Sequence, residues 1–160
     1  MSTEHRIGQL DKIIAISAAR KLRKQAALQS ARADLATAEL ERDDAECALT
    51  NANQILHDAR RNFALQAASD QAMVWRTHCE GQRDIAQADL RDAVSLVEDM
   101  RANVQLAIDD LLRHNFRHDR ITEHAAKVKR QQRNYREART DDEFTDSRSG
   151  QAKPIIGDGS

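Results

Sequence analysis

The stretch Leu28–Phe63, LQSARADLATAELERDDAECALTNANQILHDARRNF, decides the fold. Leu28, Leu35, Leu49, Leu56 and Phe63 lie on one seven-residue series, broken only by Arg42. Three residues after each position of that series comes an alanine: Ala31, Ala38, Ala45, Ala52 and Ala59. This is a heptad with large residues at one core position and alanine at the other. Alanine seams let helices approach closely, a packing suited to antiparallel pairs. Upstream, Leu10, Ile13, Ile14 and Leu22 read as a different phase, which predicts a local stutter.

From Gln9 to Ser149 the only Gly or Pro is Gly81. Ala, Leu, Arg, Glu, Gln and Lys dominate that span, and all lose little rotamer entropy in a helix. A second 3-4 pattern runs Ala86, Leu90, Ala93, Val97, Met100, Val104, Ala107, Leu111, His114, His118, Ile121, Ala125, Val128, Gln132, Tyr135. Two such stripes cannot be buried singly, so the expected fold is all-α: a long antiparallel two-helix coiled-coil hairpin. It is expected over residues 9–139, after a flexible N-terminus at 1–8. The turn is expected within 67–81, either at Ser69-Asp70, which are N-cap types, or at Cys79-Glu80-Gly81, where glycine could end a helix. Residues 140–160 hold three of the five glycines, the one proline and the run Asp141-Asp142-Glu143, and predict an acidic, disordered tail.

Composition narrows function. The 160 residues carry 25 Lys+Arg against 26 Asp+Glu, and aromatics make up only 3%. So little Gly and Pro argues against a compact α/β enzyme. The apolar run Ile13-Ile14-Ala15-Ile16 is far short of a membrane span, and Met1–Leu10 has no apolar signal core. Cys47 and Cys79 form no C-x-x-C pair and read as reduced thiols of a cytosolic protein.

The near-zero net charge hides a segregation. Lys12–Arg32 has six basic residues and no acid, and Arg113–Arg139 has nine basic residues against three acids. Asp34–Asp58 has seven acids and one base, and Glu80–Leu112 eight acids and three bases. In an antiparallel hairpin the two basic stretches lie together, and so do the acidic ones. That predicts a partner with an acidic surface at the basic end.

Candidate chemistry is sparse. His114 and His118, spaced i, i+4, can hold a metal or form a polar layer in the seam. Glu39, Glu41, Asp43, Asp44 and Glu46 could pair carboxylates, but a two-helix seam offers no dry cleft to shift them. No Gly-rich phosphate loop or nucleophile motif is present, so no enzymatic activity, cofactor or metal is expected. Lys127, Lys129, Arg130, Arg133, Arg136 and Arg139 form a basic strip with one aromatic, Tyr135, and no groove-entering module. Specific nucleic-acid readout is not expected.

The Ala/Leu heptads of Leu28–Phe63 and the closing stretch Lys127–Phe144 resemble the central stalk proteins of type III secretion (the YscO-type subunit and its flagellar FliJ-type counterpart). The resemblance covers most of residues 10–145. It implies a cytoplasmic coiled coil, peripheral at the inner face of the membrane, that links a hexameric secretion ATPase to a membrane export gate. Secretion chaperones are further partners it implies, in a virulence or flagellar apparatus. On that resemblance Lys21, Arg23, Lys24, Arg130, Arg133 and Arg136 would contact the ATPase, and the turn around Trp75 would face the gate. The rival expectation is a cytosolic coiled-coil scaffold or chaperone that binds a partner protein.

Overall fold

The computed structural model describes residues 3–149, with side chains for residues 4–144. It consists of α1 (Thr3–Leu65) and α2 (Asp70–Ser149), packed against each other as an antiparallel hairpin, with no strand among the described residues. The Gln66 amide donates to the Asn62 carbonyl at 3.0 Å, closing α1, and the Ser69 amide donates to the Gln66 carbonyl at 2.9 Å. The Ser69 hydroxyl then accepts from the Ala72 amide at 3.3 Å, the N-cap arrangement that starts α2.

Of the two sites considered for the turn, the chain uses Ser69-Asp70. Gly81 lies inside α2, and a Cβ there would meet nothing within 4 Å. The reversal needs no glycine, because no described residue takes a positive φ. Both predicted ends are also shorter than the helices. Residues 3–8 are helical, with Glu4 paired to Arg136 at 2.5 Å. Residues 140–149 continue α2, where Arg139 reaches Glu143 at 3.2 Å and the Thr140 hydroxyl donates to the Arg136 carbonyl at 3.0 Å. The rest of the expected tail, 150–160, lies outside the described residues.

The hairpin divides into two units, each formed by facing segments of α1 and α2. The first comprises residues 1–21 and 113–160, the second residues 22–112. In the second unit the seam follows the 3-4 spacing on both helices. Leu28, Ala38, Leu56, Ala59, Cys79 and Val97 are buried, and Leu56, Ala59 and Cys79 form a cluster. Leu56 and Cys79 have numbers that add to 135. The same register sets Ala31 level with Val104, Ala38 with Val97 and Ala45 with Leu90. Each alanine of α1 therefore faces a larger residue of α2, so the layers interdigitate. Arg42 and Arg76 occupy seam positions: Arg42 turns its head to Asp43 at 2.5 Å, and Arg76 lays its guanidinium over the Phe63 ring at 4.4 Å, with its Nε buried.

In the first unit the seam consists of Ile7, Leu10, Ile14, Ser17 and Lys21 from α1 facing His114, His118, Ile121, Ala125 and Val128 from α2. No stutter precedes Leu28. Ile14 and Lys21 fall on the Leu28 series, Leu10, Ser17 and Lys24 fall on the alanine series, and all are buried or half-buried. The phase was hidden because three consecutive seam positions, Ser17, Lys21 and Lys24, are polar, while the out-of-phase Ile13 and Leu22 are exposed.

Ion pairs fix the register along one flank of the seam. In the first unit they are Glu4–Arg136 and Asp11–Lys129 (2.7 Å), and in the second Glu39–Arg101 (3.2 Å) and Arg60–Glu80 (3.3 Å). The residue numbers of every one of these pairs add to 140. All four α1 members sit one residue past an alanine-series position, the e flank that meets e of the other helix in antiparallel coiled coils.

Candidate partner-binding surface

The two units carry net charges of opposite sign. Residues 1–21 with 113–160 hold 15 Lys and Arg against 10 Asp and Glu, a net of +5. Residues 22–112 hold 10 against 16, a net of −6. Along the e flank, opposite charges pair within each unit. Two minority charges of the basic unit, Glu4 and Asp11, stand beside Arg136 and Lys129.

The residues expected to meet a partner are distributed unevenly. Lys21, Arg130, Arg133 and Arg136 share the basic unit. Arg130 projects to solvent with no ion-pair partner among the described residues, and Arg133 is exposed, 3.8 Å from Glu137. Arg136 is held by Glu4, and Lys21 is half-buried in the seam rather than on an outer face. Arg23 and Lys24 belong to the acidic unit. Lys24, also a seam residue, is tied to Asp110. Trp75 lies in the acidic unit in the second turn of α2, half-exposed and stacked on His78 with ring centroids 5.6 Å apart.

The histidine pair forms a polar layer. His114 Nε2 is 2.9 Å from the Ser17 carbonyl oxygen. A carbonyl only accepts, so this nitrogen carries the hydrogen. His118 Nδ1 is 3.0 Å from the Ser17 hydroxyl. The ring nitrogens that face the seam are thus engaged by one buried serine. Among the described residues no three His, Cys, Asp or Glu side chains gather at metal-ligand spacing. Sequence reading passed over Ser17 because one serine in an apolar run gives no signal until the facing helix is in register.

The carboxylate cluster is exposed, with Glu39 on Arg101 and Asp43 on Arg42. In the basic strip, Lys127 meets Glu123 at 3.0 Å, Lys129 meets Asp11, and Arg139 meets Glu143. The hydrogen bond from Lys127, with its charge, holds the Glu123 carboxyl below the usual range. Neither Cys47, exposed, nor Cys79, buried, is in a disulfide.

Two shallow grooves flank the seam, and neither was foreseen. One, in the basic unit, has Arg6, Ile13, His124 and Tyr135 along it. The other, in the acidic unit, lies among Ile55, Trp75, Ile85 and Asp89. Among the described residues no helix is long and apolar enough to cross a membrane. No family model, curated protein or solved structure matches the chain.

Proposed function

We propose that this chain is a non-enzymatic stalk of a type III secretion apparatus, virulence or flagellar, coupling a hexameric secretion ATPase to the membrane export gate. The observation that carries the reading is the separation of charge into a +5 unit and a −6 unit within one coiled-coil hairpin. A coiled coil built only for stability has no use for that separation, whereas a shaft that must enter an acidic socket by one end does. Arg130 and Arg133 are the charges best presented to such a socket, since Lys21 and Lys24 are spent in the seam and Arg136 is held by Glu4. The working place is the cytoplasmic side of the membrane, peripheral to it.

Reversing Arg130, Arg133 and Arg136 together to Glu tests this. The expected result is loss of ATPase stimulation and of co-purification with the hexamer, while helix content is kept. Undiminished stimulation by the triple variant rejects the socket.

A second reading, a coiled-coil scaffold or chaperone for a partner protein, is favoured by the exposed apolar groove at Ile55, Trp75 and Ile85. It predicts that affinity capture brings down an export substrate in place of an ATPase.

A further inference from the structure

Within the basic unit, the residue immediately before each seam position lies on the flank opposite the Glu4–Arg136 and Asp11–Lys129 pairs. On α1 these residues read Arg, Gln, Ile, Ile, Arg from Arg6 to Arg20, and on α2 they read Arg, Arg, Arg, His, Lys, Gln from Arg113 to Gln131. Six of them are Lys or Arg and none is Asp or Glu. The acids of this unit up to residue 139 lie elsewhere: Glu4 and Asp11 on the paired flank, and Asp119, Glu123 and Glu137 on the outer face of α2. Two of the six cations are already engaged, Lys127 by Glu123 at 3.0 Å and Arg120 over the Phe116 ring at 5.8 Å. Arg6 and Arg117 are exposed and make no ion pair among the described residues. The preceding flank residue of α2, Asp110, belongs to the other unit and is engaged by Lys24.

A groove of about 470 Å³ runs along this flank. Its lining includes the half-buried Leu10 and Val128, with Arg6, Ile13, His124 and Tyr135 beside them. Ile13 and Ile16 are 46% and 53% exposed, apolar groups that water covers at a cost. Arg6 to Arg20 spans about 21 Å along α1, the length of a four-turn helix. An apolar trough between cations suits one kind of occupant. A nucleic-acid backbone brings phosphates but nothing for isoleucine to pack on. A bilayer takes large apolar side chains from the outermost ridge. Here Leu10, Ile13 and Val128 lie along the trough, and the exposed Arg113 and Arg120 stand farther out.

We propose that this groove receives an acidic amphipathic helix of a partner protein. The helix sets leucine-sized side chains on Leu10, Ile13 and Val128 and carboxylates against Arg6 and Arg117. The contact lies within one unit, and the hairpin does not have to open for it. It is independent of the stalk reading, since Arg130, Arg133 and Arg136 are not on this flank.

The probe is a fluorescein-labelled synthetic peptide of about 16 residues, with Leu at i, i+4, i+7 and i+11, Glu beside them and Ala elsewhere. Binding to the full chain at physiological salt, read by fluorescence anisotropy, is expected to saturate at one peptide per chain. Arg6→Gln with Arg117→Gln is expected to weaken it about tenfold or more, and Ile13→Gln about tenfold. Arg130→Gln with Arg133→Gln removes as much charge from the same unit and is expected to leave binding within about twofold. All three variants alter exposed side chains and are expected to keep the parent's circular dichroism. Absence of saturable binding overturns the proposal, and so does an equal loss in the two arginine pairs. Undiminished binding of a peptide with Gln in place of every Leu overturns it too, because charge would then be the whole attraction. Tighter binding to phosphatidylserine vesicles or to a DNA duplex than to the peptide, lost on substituting Arg6 and Arg117, gives the flank to that ligand and overturns it equally.

Discussion

The backbone carbonyl of Ser17 lies 2.9 Å from Nε2 of His114, ninety-seven residues away, and the same serine's hydroxyl lies 3.0 Å from His118 Nδ1. One residue of α1 thus answers two of α2 across the seam. Sliding the helices by a heptad would leave all three groups without partners, so the layer specifies register more than it adds stability.

Ser17→Ala removes the hydroxyl and leaves His118 Nδ1 half-buried and unpaired. The expected cost is about 1 kcal/mol, read as a lower urea midpoint at unchanged slope. An unchanged midpoint would mean that water replaces the serine without penalty.

Gly81→Ala should stabilise the chain by about 0.5–1 kcal/mol, because glycine loses most entropy in a helix and the new methyl meets nothing. Thermal melting checks this, and a fall in melting temperature would show that the folded chain does not accommodate the added methyl as the open space around Gly81 implies.

Ala38→Leu overfills a layer in which Ala38 and Val97 are 3% and 2% exposed. A loss of about 1–3 kcal/mol is expected. Were the variant as stable as the parent, the two helices would have to lie farther apart than the alanine seam implies.

The Glu39–Arg101 pair is exposed and should couple weakly. A double-mutant cycle with Glu39→Gln and Arg101→Gln is expected to give about 0.2–1 kcal/mol at low salt and less as salt rises. Zero coupling at low salt would remove this pair from the register argument.

Glu123 has its carboxyl pKa lowered by Lys127, first through the hydrogen bond and then through charge. The unfolded chain binds that proton more readily than the folded one. The pair's contribution is therefore complete above the ordinary glutamate range and fades as pH falls through the lowered value. Glu123→Gln should flatten this part of the acid limb of the stability profile and leave the neutral-to-alkaline part unchanged in shape. An identical acid limb in both proteins would discard the assignment.

Leu28–Phe63 and the stripe from Ala86 to Gln132 made the hairpin readable, since alternating large and small residues at heptad spacing have few other uses. What stayed hidden was hidden by chemistry. Ser17, Lys21 and Lys24 hold seam positions with polar heads, so a search for apolar phase reads them as a break. Gly81 looked like punctuation, yet Gln66–Ser69 reverses the chain with ordinary helical caps and no left-handed residue. The grooves and flank pairs depend on which residues are level across the seam, and that follows only once the turn is placed at Ser69.

The placement of alanine against bulk has a directional meaning. Were two such helices laid parallel, leucine layers would meet leucine and alanine layers would meet alanine, so crowding would alternate with empty space. Polarity is thus written into the side chains themselves and does not depend on the covalent link between Leu65 and Asp70. Two peptides cut apart within Gln66–Ser69 should rejoin head to foot unaided, which makes the connection a convenience of synthesis more than a requirement of shape.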